Sequence, residues 1–150
     1  MKHFAVRLLF AATLLLLGGC MSYPGETPGS NVSLGATLNG ASEVPPNAST
    51  AGGYLTAEYS TVTHILKWRL VVNGLSAPIT RAAFHGPDAM GTERPIVPLN
   101  LPFDGTTHAG GATLTEQQAA DLLAGRWSID VQTEKFPGGE IRGQVSKATR

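Results

Sequence analysis

Hydrophobic and polar residues alternate along most of the chain beyond residue 33, which is the pattern of β-strands that bury one face. The alternation is clearest in residues 64–75 (HILKWRLVVNGL) and 126–133 (RWSIDVQT), and each segment carries one tryptophan on its apolar face. We therefore expect Trp68 and Trp127 to lie in the core rather than to stack on a ligand.

Shorter alternating segments, bounded by turn residues, predict further strands. They are SLGATLNG (33–40), YLTAEYS (54–60), APITRAAF (77–84), PIVPLNL (95–101) and, after a Pro-Gly turn, EIRGQV (140–145). Pro95 and Pro98 lack the N–H of a strand ladder, so their segment is expected at a sheet edge or a bulge. The DGTTHAGG segment (104–111) predicts a flexible loop.

One segment, LTEQQAADLLAG (114–125), predicts a short helix. Thr115 can be its N-cap, with Gln118 three residues later as the reciprocal partner of a capping box. Gly125 can take the left-handed position that ends the helix. About seven short strands and one crossover helix together predict an all-β fold, an antiparallel β-sandwich.

The chain begins with a basic, then apolar, then small-residue segment, MKHFAVRLLFAATLLLLGGC. Its apolar run, Leu8 to Leu17, is shorter than the ~20 residues that span a bilayer, so residues 1–19 are expected to be a secretory signal peptide. Cys20 follows LGG, which is similar to the bacterial lipoprotein signal. We expect Cys20 to be acylated and to anchor the protein in a membrane. Ser22, rather than aspartate, favours the outer membrane by analogy with Gram-negative sorting.

Residues 20–33, rich in proline, glycine and small polar residues, predict a flexible tether, and residues 34–146 one domain. Loss of Lys2 and Arg7 with the signal leaves 9 basic against 11 acidic residues, a balance that argues against nucleic acid binding. The chain contains no Gly-x-Ser-x-Gly, His-Glu-x-x-His or Cys-x-x-Cys motif and no phosphate-binding loop. No catalytic centre is evident, and we expect no enzyme activity.

Four stretches occur in the order LNGASEVPPNASTAGG, VNGLSAPITRAAFHGP, LTEQQAADLLAGRWSIDVQT and PGGEIRGQV. Together they resemble the CHRD domain, a module named for the developmental protein chordin and common in secreted bacterial proteins. The resemblance covers about residues 34–146. It implies an immunoglobulin-like or superoxide-dismutase-like β-sandwich. In chordin the modules belong to a protein that binds a secreted growth factor.

Two departures from the family pattern bear on metal binding. Many members have His-x-His-Gly-Pro where this chain has AFHGP (83–87), and Asn-x-His-Thr where it has DVQT (130–133). Histidines two apart lie on one face of a strand and can bind one metal together. Only one histidine of that pair remains here, and Gln132 is a poor ligand for zinc or copper. Any metal role that the resemblance implies is therefore weakened.

Three histidines of the mature chain, His64, His85 and His108, are the candidate metal ligands, because they could hold copper or zinc if the fold brought them together. The favoured interpretation of His85 is structural. We expect it to end a strand and to hydrogen-bond backbone in the turn at Gly86-Pro87.

Glu140 and Arg142 lie two apart on the last predicted strand and so share a face. With Asp130 on a neighbouring strand they are a candidate polar ligand patch. The favoured interpretation is an exposed Glu140–Arg142 ion pair of about 0–1 kcal/mol.

The sequence is therefore compatible with three functions. The preferred one is a lipid-anchored, non-enzymatic module of the cell envelope, at the outer membrane facing the periplasm or the cell surface, that binds a protein or another surface component. The alternatives are an envelope protein that binds copper or zinc through His85 with His64 or His108, and a redox enzyme like superoxide dismutase, for which the ligands are too few.

Overall fold

The computed structural model describes residues 30–103 and 106–148. The strands are β1 (Asn31–Asn39), β2 (Gly52–Ser60), β3 (Ile65–Asn73), β4 (Ile79–Pro87), β5 (Glu93–Pro98), β6 (Thr107–Thr113), β7 (Ser128–Thr133), β8 (Ile141–Gln144) and β9 (Ser146–Lys147). The helix α1 spans Glu116–Leu123, and a single 3₁₀ turn spans Gly40–Ser42. The predicted signal peptide and Cys20 lie outside the described residues.

All strand pairings are antiparallel and belong to one sheet, in the order β5-β4-β7-β8-β1-β2-β3-β6, with β9 pairing with β1. The sheet curls into a nearly closed barrel. Its two end strands, β5 and β6, come close enough for residues of both to line one groove. The predicted all-β antiparallel fold with one short helix is confirmed. Within the described parts of the chain, no helix has the length and apolar character to cross a membrane.

The alternating residues meet in a single core, as their period predicts. Trp127 is fully buried and Trp68 is 7 % exposed. Phe84 lies between them, with ring centroids 5.2 Å from Trp68 and 5.8 Å from Trp127. Both tryptophans are therefore core residues, as predicted.

The helix α1 forms as its capping signal predicts. The Thr115 side chain accepts a hydrogen bond from the Gln118 N–H, and the Gln118 side chain accepts one from the Thr115 N–H. Gly125 has φ +72, the left-handed value expected after the helix. Leu122 of α1 packs into the core.

Strand β6 lies where a flexible loop was expected, and that prediction is wrong. The segment pairs with β3 along its length, from Ile65 opposite Thr113 to Val71 opposite Thr107. Its glycines make room for the core, because a Cβ on Gly110 would lie 2.7 Å from the Trp68 ring. The strand depends on close backbone approach rather than on alternating side chains, so periodicity does not detect it.

Two predicted boundaries also differ from the structure. β1 begins at Asn31, so residues 31–33 belong to a strand rather than to the tether. β4 continues through Gly86 to Pro87, so His85 does not end its strand, and no turn occurs at the position expected for it.

Candidate functional site

The outer surface of β4, β7 and β8 carries a group of polar side chains. Phe84 and Ile129 point into the core, so their neighbours point outward. The register places His85 opposite Ser128, and Asp130 opposite Arg142. Two acidic residues from elsewhere complete the group, which we call the outer polar patch: His85, Ser128, Asp130, Arg142, Glu43 and Glu93.

Glu93, the first residue of β5, is held at one side of the patch by two donors. The Ser128 hydroxyl donates to Glu93 Oε1 at 2.7 Å, and the Arg142 guanidinium forms an ion pair with the same oxygen. Burial would raise the pKa of Glu93, but these hydrogen bonds and the Arg142 charge outweigh it and lower the pKa. Arg142 therefore pairs with Glu93, while its charge also lowers the pKa of Glu43 and of Asp130.

Glu43 and Asp130 form a buried carboxyl pair at the other side of the patch. Their exposed fractions are 4 % and 3 %. They meet above Gly139, where an added Cβ would lie 2.5 Å from Glu43 Oε2 and 2.7 Å from Asp130 Oδ2. Gly139 also has φ +130, so only glycine suits this position.

The environment of this pair favours protonation. Burial, followed by the nearby charge of Asp130, raises the pKa of Glu43 to about 7. Burial likewise raises the pKa of Asp130. Glu43 Oε1 and Asp130 Oδ1 are buried without a hydrogen-bond partner. Two carboxyl groups in contact cannot both carry a charge without a large penalty, so the arrangement suits one shared proton.

His85 lies beside this pair but is not bonded to it. Its Nε2 is buried and has no hydrogen-bond partner, so the expected hydrogen bond to a turn backbone is not found. Burial lowers the pKa of His85 despite the nearby charge of Asp130, which favours a neutral imidazole.

The three candidate histidines have different surroundings. His64, at φ 57, lies 3.0 Å from the Tyr59 hydroxyl through Nδ1. His108 accepts a hydrogen bond from Trp68 Nε1 at 3.2 Å and packs against Phe103. Along the β3–β6 ladder the two lie about six residues apart, roughly 20 Å.

The alternative function, a copper or zinc site built from these histidines, needs several ligands close together. Over residues 30–103 and 106–148, no three histidine, cysteine, aspartate or glutamate side chains form a group that could hold a metal ion. The alternative in which His85 joins His64 or His108 in a copper or zinc site thus finds no support in these residues.

Glu140 is not the exposed partner of Arg142 that the sequence suggested. Its side chain is fully buried and accepts hydrogen bonds from the Thr133 hydroxyl (2.6 Å), the Ser49 hydroxyl (2.8 Å) and the Ser76 N–H (2.9 Å). The predicted ion pair is wrong because β8 begins only at Ile141, so the alternation does not include Glu140.

The three donors keep the Glu140 carboxylate charged inside the protein. Burial alone would raise its pKa, but the hydrogen bonds from Thr133, Ser49 and Ser76 outweigh burial and lower the pKa. Glu140 thus links three separate connections of the sheet by hydrogen bonds. Its role is to stabilise the fold, and it is not part of the outer polar patch.

The structure brings together His85, Asp130 and Arg142 of the predicted site residues, and it adds Glu43 and Glu93. Neither of these two glutamates is a candidate from the sequence alone. Glu43 lies in an irregular connection and Glu93 at a strand end, so no local pattern marks either one, and only the folded sheet shows their neighbours.

Comparison with known proteins agrees with the fold. The CHRD domain matches this chain over residues 34–145. The chain belongs to the CHRD domain family. No curated protein and no solved structure matches it. The matched residues of this CHRD protein run from β1 to the residue after β8, so they include every member of the outer polar patch.

Proposed function

We propose that this CHRD protein is a lipid-anchored binding module of the cell envelope, held at the outer membrane by acylated Cys20, that binds a protein or another surface component without catalysing a reaction. The LGGC sequence at residues 17–20 supports the anchor. The open groove between β5 and β6 supports the binding role and carries the proposal.

The groove has a volume of about 580 Å³ and is lined by both ends of the sheet, within the usual size range of ligand sites, about 300–1,000 Å³. Its β6 side consists largely of small residues, and Trp68 and His108 also line it. Small side chains allow another backbone to approach closely.

The backbone of β6 presents free hydrogen-bonding groups to this groove. The Val72 N–H donates to the Thr106 carbonyl, and the Leu114 N–H donates to the His64 carbonyl. The register then makes every second residue of β6 bond to β3, and the residues between them point away. The N–H and C=O groups of Ala109 and Gly111 therefore face the groove.

The opposite wall offers fewer donors. Pro95 and Pro98 lie on β5, which is an edge strand with a bulge opposite Phe84 and His85, as the two prolines predicted. The Leu99 N–H donates to the Ala82 carbonyl, which places Pro98 on the side facing the groove. An extended segment of a partner would therefore add to β6, by main-chain hydrogen bonds of the kind used in strand addition.

Affinity capture with the full chain tests this proposal. Ala109→Pro removes a groove-facing N–H without removing a bond to β3, whereas Ala109→Ser keeps that N–H and is the matched control. We expect wild type and Ala109→Ser to retain the same envelope component and Ala109→Pro to lose it. Equal retention by the two variants, or no component above background, would contradict the proposal.

A further inference from the structure

The connection between β1 and β2 is fastened at both sides of Glu43. The Gly40 carbonyl accepts hydrogen bonds from the N–H groups of Glu43 and Asn47. The Asn47 side chain donates to the carbonyls of Gly139 and Glu140. Residues 43–46, which we call the Glu43 loop, are therefore held at each end while their middle is open to solvent, with Val44 80 % exposed.

The charges around Glu43 do not balance if every carboxyl is ionised. Asp130 of β7 and Arg142 of β8 act on Glu43 itself, and His85 of β4 acts on Asp130. Arg81 of β4 and Glu93 of β5 act on His85. Arg142 is paired with Glu93, and Arg81 is exposed.

His85 offers no compensating charge, because burial favours its neutral form. The Arg142 charge lowers the pKa of both carboxyl groups, but its guanidinium is paired with Glu93 and does not outweigh burial. A proton is the charge that fits the contact between the two carboxyl groups.

We propose that Glu43 and Asp130 form a proton-binding site that holds the Glu43 loop against the outer face of the sheet and releases it when the proton is lost. Asp130 is fixed inside β7, with strands on both sides, so Glu43 is the group that moves. Release exposes the Asp130 carboxyl, which Glu43 meets above Gly139.

Carboxyl carbon NMR of the full chain in detergent, with a chelator present to remove cations, measures the proton directly. We expect one carboxyl of the pair to titrate near pH 7, with the second responding at the same pH. The ratio of protonated to deprotonated molecules falls tenfold for each pH unit. About ten in eleven molecules therefore keep the proton at pH 6 and about one in eleven at pH 8. Titration of both groups below about pH 5 would refute the site.

Two variants and one exposed control separate this proton from other causes. Glu43→Gln and Asp130→Asn should each abolish the transition near pH 7, whereas Glu58→Gln, on the exposed face of β2, should leave it unchanged. The wild-type titration decides the proposal even if one variant fails to fold.

Hydrogen exchange tests the movement of the loop. We expect the protection of the Val44 amide to fall about tenfold more between pH 6 and pH 8 in wild type than in Glu43→Gln, with Asn47 unaffected. An equal change at Val44 in both proteins would show a proton site without a moving loop, and would overturn the release step.

Discussion

Replacing Glu140 with alanine should strongly destabilise this CHRD domain. The carboxylate is fully buried and accepts hydrogen bonds from Thr133, Ser49 and Ser76. Its loss leaves three donors and a cavity. The two hydroxyls can turn toward other acceptors, but the Ser76 N–H cannot, and the loss of its bond to a charged acceptor costs about 1–3 kcal/mol.

The lost hydrogen bonds and the cavity act together, so we expect Glu140→Ala to lower the free energy of unfolding by about 3–5 kcal/mol. This loss is a large part of the whole free energy of unfolding of a domain, which is roughly 5–15 kcal/mol. Glu140→Gln keeps the volume and one acceptor oxygen, so about 1–3 kcal/mol is expected.

Urea denaturation of residues 21–150, which omit the predicted signal peptide and Cys20, measures these differences at pH 7. Glu134→Gln, an exposed glutamate of the same hairpin, is the matched control and should change stability by less than about 0.5 kcal/mol. The reasoning fails if Glu140→Ala stays within 1 kcal/mol, roughly, of the control, since a buried acceptor of three bonds must cost more.

Three further results are expected. Gly110→Ala places a methyl group against the Trp68 ring and should cost about 1–3 kcal/mol, whereas Gly138→Ala meets nothing within 4 Å and should be nearly neutral in the same thermal melts. The pKa of Glu43 is raised from 4.5 to about 7, so its contribution to stability is complete below pH 4.5 and is lost as the pH rises through about 7. Stability should fall over that range by up to about 3 kcal/mol, less so in Glu43→Gln, and denaturation curves at pH 5 and 8 that show no such difference would contradict this. Cys20→Ser should remove palmitate labelling and release the protein from the membrane fraction, and unchanged labelling would disprove the anchor.

The sequence predicted those parts of the fold that depend on local pattern. The buried faces around Trp68 and Trp127, the edge position of Pro95 and Pro98, and the capped helix α1 all follow from spacing or from one residue's backbone chemistry. Strand β6 did not follow, because its evidence is the space that Gly110 leaves for a ring 42 residues away in sequence.

The candidate site was predicted only in part for the same reason. His85 and Asp130 lie on clear strands, and their outward faces follow from alternation. Glu43 reaches Asp130 across 87 residues, through a connection without regular structure. Alternation also gave the wrong prediction for Glu140, which was expected to be exposed. Glu140 precedes its strand by one residue, and its side chain is buried.

Strand addition to β6 is the central claim about function, and crosslinking in living cells tests it most directly. A photoreactive residue at position 109 lies on the groove-facing edge, while one at Thr56 lies on the exposed face of β2, which is paired on both sides. We predict a discrete adduct with an envelope component from position 109 and none from position 56. Equal adducts from both positions, or none from position 109, would contradict the account.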